Sequence, residues 1–478
     1  MKRGASRTAF ILLVITASLG GISLGEEHPE DSVMEKPRRG EPLLWRQVET
    51  PEPFLTTERV GNEDLTYGGE IRMGDLNGDG QAEFLVYRSV DNAHDGGGMK
   101  PCFLGAFSMD GNVLWQVGAE GTQPCRPGPV AVYDLDGDGS AEVICFFHDP
   151  TVEAAPTSMA NVVVQVRDGK TGEVKREARP EVLTSCEGQG PNWCHQRLLV
   201  ANLRGTNRPS DFVVKLGRRI IALSADLDVL WTYESEWAEY GKCPAYIPAV
   251  GDIDGDGKDE VIGGYYLLDD DGQPLWEKQL APHMDSVTIT AWDDGHARAI
   301  CSGGGHVMDA QGNAVTDLGE DVVPHGQEVR VARFLPEDDT PQMLIRYNAH
   351  TEQVLLANTA GEVVNRFSLN PTPNNTGMEV VYWDGPDAPA RVCNGDGLWT
   401  PAVAASATLP GLPTPCGPHR SGWYHCIAAD VCGDTREEVV LYNPWDRRIF
   451  IYTPAPLDAD AYAGYHPGPR QYNPRLMD

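Results

Sequence analysis

Three nine-residue segments carry the most specific chemistry legible in the chain: Asp75-Leu-Asn77-Gly-Asp79-Gly-Gln81-Ala-Glu83, Asp134-Leu-Asp136-Gly-Asp138-Gly-Ser140-Ala-Glu142 and Asp252-Ile-Asp254-Gly-Asp256-Gly-Lys258-Asp-Glu260. A fourth, Asp430-Val-Cys432-Gly-Asp434-Thr-Arg436-Glu-Glu438, keeps three of the acidic positions. Hard cations such as Ca2+ take about six to eight oxygen ligands. Side chains at positions 1, 3, 5 and 9, with a backbone carbonyl at position 7 (Gln81, Ser140 or Lys258), converge on one ion if the chain turns sharply, and the glycines permit that turn. The expected cofactor is therefore Ca2+. Each loop ends three residues earlier than an EF-hand loop. The second lies between the strand-like runs Val130-Ala-Val-Tyr133 and Val143-Ile-Cys-Phe-Phe147, where an EF-hand has helices.

The elements that must position these loops follow from their spacing. Asp75, Asp134 and Asp252 are separated by 59 and 118 residues, so at least one unmarked repeat lies in the second interval. A short strand ending in a polar turn recurs at Asn202, Asp293, Arg333 and Asp384, which with Asp430 gives eight units at intervals of 59, 68, 50, 41, 40, 51 and 46 residues. That spacing fits four-stranded propeller blades with variable loops. A second signature falls later in the units: Met109-Asp-Gly-Asn-Val-Leu-Trp115, Ala225-Asp-Leu-Asp-Val-Leu-Trp231 and Asp270-Asp-Gly-Gln-Pro-Leu-Trp276, with weaker copies at Asp168-Gly169, Gln311-Gly312 and Ala360-Gly361. Leu43-Leu-Trp45 precedes the first unit, and the last unit lacks such a strand after Arg448-Ile-Phe-Ile-Tyr452. The expected fold is all-β, an eight-bladed β-propeller whose N-terminal strand closes the ring. Seven blades is the alternative if one degenerate anchor is spurious.

In such a ring the acidic loops follow the innermost strands and collect at one end of the channel, while the residues just before those strands collect at the other. Those residues are Tyr67, Arg126, Trp193 with His195, Tyr246, His283 with Asp285, His325 with Gln327 and Glu328, Asn374 with Asn375, and the run from His419 to His425. Aromatic faces stack on sugar rings and arginine recognises carboxylates, so this mouth suits an acidic glycan. The candidate catalytic residues are Tyr246, His283, Asp285, His325, Arg420 and His425. The Pro- and Ala-rich stretch from Trp399 to Pro418 is placed to act as a lid.

Of the 478 residues, 70 are acidic and 38 are Lys or Arg, a formal net charge of -32. A nucleic-acid partner is excluded on that balance, because phosphate neutralisation needs the opposite sign. Lys2, Arg3 and Arg7, the apolar run Ala9 to Ala17 and the small residues up to Gly25 form a signal-peptide layout for residues 1–25. Residues 26–41 then read as a linker and 42–478 as one propeller domain, exported to the periplasm or outside the cell with no membrane span after cleavage. The 11 cysteines suggest disulfides across short loops, Cys102 with Cys125, Cys186 with Cys194 and Cys393 with Cys416.

From Tyr67 onward the order of parts resembles the catalytic propeller of rhamnogalacturonan lyases of polysaccharide lyase family eleven. The resemblance is most specific at Val250-Gly-Asp-Ile-Asp-Gly-Asp-Gly-Lys-Asp-Glu-Val261, Ala429-Asp-Val-Cys-Gly-Asp-Thr-Arg-Glu-Glu-Val439 and Arg448-Ile-Phe-Ile-Tyr-Thr453. It implies an eight-bladed fold with several Ca2+ ions and cleavage of pectin's rhamnogalacturonan backbone by β-elimination. The chain departs from the pattern at three places. His283-Met-Asp285 stands for the family's His-Gly-Asp, Tyr246 stands where the family has Asn-His, and an ungapped match puts Gly422, with Arg420 nearby, where the family carries an active-site lysine. A small sandwich domain ahead of the family's propeller also has no counterpart before Tyr67. A non-catalytic propeller that binds glycan or protein at the cell surface is the competing expectation. A quinone-dependent dehydrogenase, suggested by the Leu-Trp turns, leaves the carboxylate loops without a role.

Overall fold

The computed structural model describes residues 38–90, 100–124, 126–187, 196–237, 244–292, 294–370, 377–417, 422–457 and 464–468. These residues form eight four-stranded antiparallel sheets, and the first strands of consecutive sheets touch, as the blades of a propeller do. The first strands are Glu70–Gly74, Val130–Tyr133, Leu198–Ala201, Ala249–Gly251, Val287–Ala291, Glu328–Ala332, Glu379–Val381 and His425–Ala429. We number the blades 1 to 8 in that order. Blade 8 draws on both ends of the described chain, with Pro42–Glu49 pairing antiparallel to Arg448–Pro454. Tyr442 of blade 8 donates to Glu70 of blade 1 at 3.0 Å, so the last and first blades are in contact.

Six of the eight anchors, Asp75, Asp134, Asn202, Asp252, Arg333 and Asp430, directly follow a first strand, and Asp384 lies three residues beyond Val381. Asp293 lies outside the described residues. The seven-bladed alternative falls. Burial explains why the strands read as they do. The second strand of blade 1, Glu83–Ser89, is buried along its whole length because neighbouring blades cover both faces, so its middle, Phe84 to Tyr87, is a continuous apolar run. The outer strand of blade 6, Val363–Ser368, alternates between half-buried and exposed positions, as an edge with one wet face must.

The Leu-Trp signature has a packing cause. Trp115 on the outer strand of blade 1 donates its indole N–H to Gly169 O of blade 2 at 2.6 Å, and Trp231 of blade 3 does the same to Asp270 O of blade 4. A Cβ at Gly172, Gly272 or Gly312 would collide with Trp115, Trp231 or Trp276 respectively. Each of these tryptophans therefore clasps the glycine turn of the next blade, and the two motifs recur together because each needs the other.

Three expectations change or fall outside the described residues. Thr400 ends the third strand of blade 7 and Ala405–Thr408 is its fourth, while Pro410 O and Pro413 O accept from Tyr452 and Tyr424 of blade 8. The stretch proposed as a lid is thus part of the blade wall, held by Leu409 and Tyr424 in the apolar contact between blades 7 and 8. Cys393 and Cys416 are not joined. Cys393 is buried in that same contact beside Cys426, whereas the Cys416 thiol faces Trp445 O at 3.5 Å. Cys125, Cys194 and the signal-peptide segment lie outside the described residues. Among the described residues no helix is long and apolar enough to cross a membrane.

Candidate active site and cation loops

His283 and Asp285 lie on the approach to the first strand of blade 5, with Met284 between them. Met284 is fully buried with Ala245, Tyr265, Ala281 and Cys301, and it packs where a Cβ on Gly264 or Gly303 would sit. In an extended segment alternate side chains point to opposite sides, so anchoring Met284 sends His283 and Asp285 the other way together. Ser286 N donates to Ser302 Oγ at 3.0 Å, and that hydroxyl donates to Gly326 O at 2.7 Å, tying this approach to the one leading into blade 6. His325 arrives on the latter.

The resulting cluster spans three consecutive blades. Asp285 is fully buried, its Oδ1 3.0 Å from His283 Nδ1 and its Oδ2 3.0 Å from His325 Nε2. Tyr246, on the approach to blade 4, places its Oη 3.4 Å from His283 Nε2. Burial alone would raise the Asp285 carboxyl, but the two imidazoles outweigh it and hold the group below its usual range, so it stays ionised. An anionic Asp285 beside Nδ1 favours, through its charge, the His283 tautomer protonated on that nitrogen, which leaves Nε2 able to accept from the Tyr246 phenol. His283, Asp285 and His325 also present ligand atoms within 4.8 Å of one another. Two nitrogens and one carboxylate suit a borderline ion rather than Ca2+, which seeks many oxygens, and both oxygens of Asp285 already face imidazoles. The arrangement is best matched to proton transfer.

The other mouth residues separate from this cluster. His425 is buried against Glu70, with Nδ1 to Oε1 at 3.7 Å, and packs edge-on to Tyr442. Gln123 Nε2 donates to the same carboxylate at 3.2 Å. His425 therefore belongs to the packed contact between blades 8 and 1, and it meets Glu70 and Tyr442 rather than Tyr246, His283, Asp285 or His325. Tyr67 is buried under the hairpin Thr56–Val60/Glu63–Tyr67 and donates to Glu58 at 2.7 Å. Arg420, Trp193, His195, Asn374, Asn375 and His419 lie outside the described residues. Gly422 is described, and a Cβ there would run into the carbonyl of Gly417. No side chain can replace that glycine without the loop moving, so the position matched to the family's lysine cannot supply one.

At the opposite end, the four loops share one scaffold. The first Asp of each accepts backbone N–H groups from positions 4 and 6, as Asp252 does from Gly255 at 2.6 Å and Gly257 at 3.0 Å. The closing Glu accepts from position 2, as Glu260 Oε2 does from Ile253 at 2.7 Å. Glycines at positions 4 and 6 of the three full loops hold φ between 77° and 93°, which glycine alone adopts at little cost. The loops differ in what else meets their carboxylates. Asp134, Asp136 and Glu142 of blade 2 and Asp252, Asp254 and Glu260 of blade 4 each bring ligand atoms within 4.8 Å of one another, but in blade 4 Glu260 Oε1 is buried with no partner. Burial, with Asp254, Asp252 and Asp256 around it, pushes the Glu260 carboxyl up to about 8. An orphaned buried carboxylate oxygen among three more acids fits a hard divalent cation.

Elsewhere the chain's own donors have arrived first. In blade 2, Lys175 Nζ lies 2.8 Å from Asp136 Oδ2 and 2.7 Å from Glu142 Oε1. In blade 1, Leu76 N and Asn77 Nδ2 donate to Glu83. In blade 8, Thr453 Oγ1 and Val431 N take the Glu438 oxygens, and Arg436 pairs with Asp434.

The family model for rhamnogalacturonan lyase family 11, C-terminal domain, matches residues 45–202 and 223–461. The chain belongs to this family. Among curated relatives, the rhamnogalacturonan endolyase YesW of Bacillus subtilis (strain 168) is 27% identical over 317 residues, covering 55% of this chain and 48% of YesW. The exolyase YesX of the same organism is 29% identical over 293 residues, covering 52% of this chain and 46% of YesX. The chain thus matches about half the length of these relatives. Among solved structures, Bacillus licheniformis rhamnogalacturonan lyase PL11 superposes with a TM-score of 0.63 at 22% identity, over 85% of this chain and 75% of that one. The V. cholerae biofilm matrix protein Bap1 shares the fold with a TM-score of 0.53 at 12% identity, over 90% and 94%.

Proposed function

We propose that this protein is an exported lyase that cleaves a rhamnogalacturonan-like polysaccharide by β-elimination at the cluster of Tyr246, His283, Asp285 and His325. The observation that carries the reading is the convergence of these four side chains from three blades. Family membership supplies the substrate class. β-Elimination from a 4-linked uronate removes the C5 proton and expels O4, so the site needs a base at C5. Tyr246 is that base, its phenol proton drawn toward His283 Nε2, and Asp285 stabilises the imidazolium that results. His325 holds the second oxygen of Asp285 and so fixes the carboxylate. The C5–H electron pair forms the C4=C5 double bond as the C4–O4 bond breaks, O4 departing with that bond's electrons and taking a proton from solvent, while the imidazolium returns its proton to solvent. Ca2+ is proposed for the loop of blade 4, remote in function from this chemistry, where Asp252, Asp254, Asp256 and Glu260 would hold it and its charge would relieve their mutual repulsion.

The test is to incubate purified protein with rhamnogalacturonan and follow the ultraviolet absorbance of the unsaturated uronate. A rise with wild type that is lost in Tyr246→Phe and Asp285→Asn supports the reading. A second reading, glycan binding without cleavage, is favoured by the packed Gly422, and it would be supported by retained binding with no rise on any acidic polysaccharide.

A further inference from the structure

The loops of blades 2 and 4 have the same four acids at positions 1, 3, 5 and 9, yet their surroundings differ. In blade 2 the ammonium of Lys175 bridges Asp136 Oδ2 and Glu142 Oε1 at 2.8 and 2.7 Å, and Arg208 Nη1 lies 3.3 Å from Asp134 Oδ2 and 3.2 Å from Asp134 O. Two side-chain cations thus bring the charge that one divalent ion would bring. In blade 4 the lysine nearest the loop, Lys258, is turned to Asp270 at 3.1 Å and approaches Asp256 only to 3.8 Å. Among the described residues, no Lys or Arg pairs with Asp252, Asp254 or Glu260.

The cause is one position on the outer strand. Phe107 pairs with Val113, Arg167 with Val174, Leu223 with Val229 and Leu268 with Pro274, each just after a register shift. Lys175 therefore occupies the place that Leu114, Leu230 and Leu275 occupy in blades 1, 3 and 4. It is the leucine of the Leu-Trp signature, replaced in blade 2 alone among these four. Leu275 has no donor to offer, and Glu260 Oε1 is left without a partner.

We propose that Lys175 takes the place of a divalent cation in blade 2, so that this loop is closed by an internal ammonium while the loop of blade 4 takes a hard divalent ion. An ammonium donating to two carboxylates 2.7 to 2.8 Å away occupies the volume in which those oxygens would otherwise coordinate an ion. Binding of Ca2+ there would require the lysine to leave the nearly buried Glu142, which would then carry the cost of an uncompensated charge until the ion arrived.

The test counts ions. Full-length protein is stripped with chelator, re-equilibrated with millimolar Ca2+, freed of excess by gel filtration and analysed for bound Ca2+ per chain. Lys175→Leu, which restores the residue type of the other blades, is expected to bind one more Ca2+ than wild type. Adding Asp136→Ala to that variant should remove the extra ion, and Asp136→Ala alone should leave the wild-type count unchanged. An unchanged count in Lys175→Leu, or a loss of one ion from Asp136→Ala in the wild-type background, would overturn the proposal. If Lys175→Leu does not fold, Lys175→Met keeps the apolar stem and carries the same expectation. The count is independent of whether the mouth cleaves glycan, so failure of one reading leaves the other standing.

Discussion

The two ends of the channel are built on different principles. At one end the loops after the first strands repeat a single scaffold in blades 1, 2, 4 and 8, with an Asp capping two backbone N–H groups and a Glu capping a third. At the other end the approaches to the same strands carry unrelated residues, and among the described residues those of blades 4, 5 and 6 converge around His283 and Asp285. Repetition serves a need that each blade has, which is to close its own turn. A convergence of side chains from separate blades serves a need that the ring has once. Under the proposed function the chemistry sits at the mouth and the carboxylate loops serve stability.

The contrast breaks if the two ends respond alike to substitution. Removing the charge at Asp285 should have the largest effect. Asp285→Asn loses the anion that orients both imidazoles, and kcat should fall by about a thousandfold or more, within the range seen for disrupted carboxylate–histidine pairs. Asp254→Asn in the loop of blade 4 should change kcat by less than about twofold in saturating Ca2+, and equal losses would contradict the division of roles. Tyr246→Phe comes next, with kcat expected to fall about a hundredfold or more and KM to stay nearly constant, because a base acts only in the transition state.

The channel wall supplies a smaller effect of a different kind. Burial would raise the Glu70 carboxyl, but His425, Arg72 and Tyr442 outweigh it and hold its pKa below the ordinary value. A folded value below the unfolded one means that the stabilisation is present above about pH 4.5 and is lost as pH falls through the folded value. Glu70→Gln should therefore cost about 2–4 kcal/mol in denaturant unfolding at pH 7, from leaving Arg72 and His425 unpaired. The cost should shrink toward pH 3. A difference that grows on acidification would reverse the assignment. The smallest effect belongs to ion removal. Chelation should lower the melting temperature of wild type by a few degrees, since an ion bound only to the native state must stabilise it, and Glu260→Gln should remove most of that response.

How far the sequence could be read depends on the distance between partners. The eight blades were legible because each loop and each Leu-Trp strand is a local pattern. Trp115, Trp231 and Trp276 repeat because each packs on the glycine turn of the next blade. The mouth was legible only as a set of strand starts. Nothing local says that Tyr246, His283 and His325 meet while His425 turns to a carboxylate far away in the chain at Glu70. Lys175 carries no local signal for the same reason, since its partners lie 33 and 39 residues earlier and the leucine it replaces marks a strand rather than a site. Gly422 is a case where the match of residue to residue pointed to a lysine position and the space forbids one.

We propose that the mouth cluster eliminates and the loops only hold. The most direct test is the ultraviolet absorbance of the C4=C5 double bond, recorded for wild type, Asp285→Asn and Asp254→Asn on rhamnogalacturonan in saturating Ca2+, with each protein shown to be folded by its melting temperature. A steady rise is expected for wild type and Asp254→Asn and no rise for Asp285→Asn. A rise for Asp285→Asn equal to that of wild type would contradict the proposal.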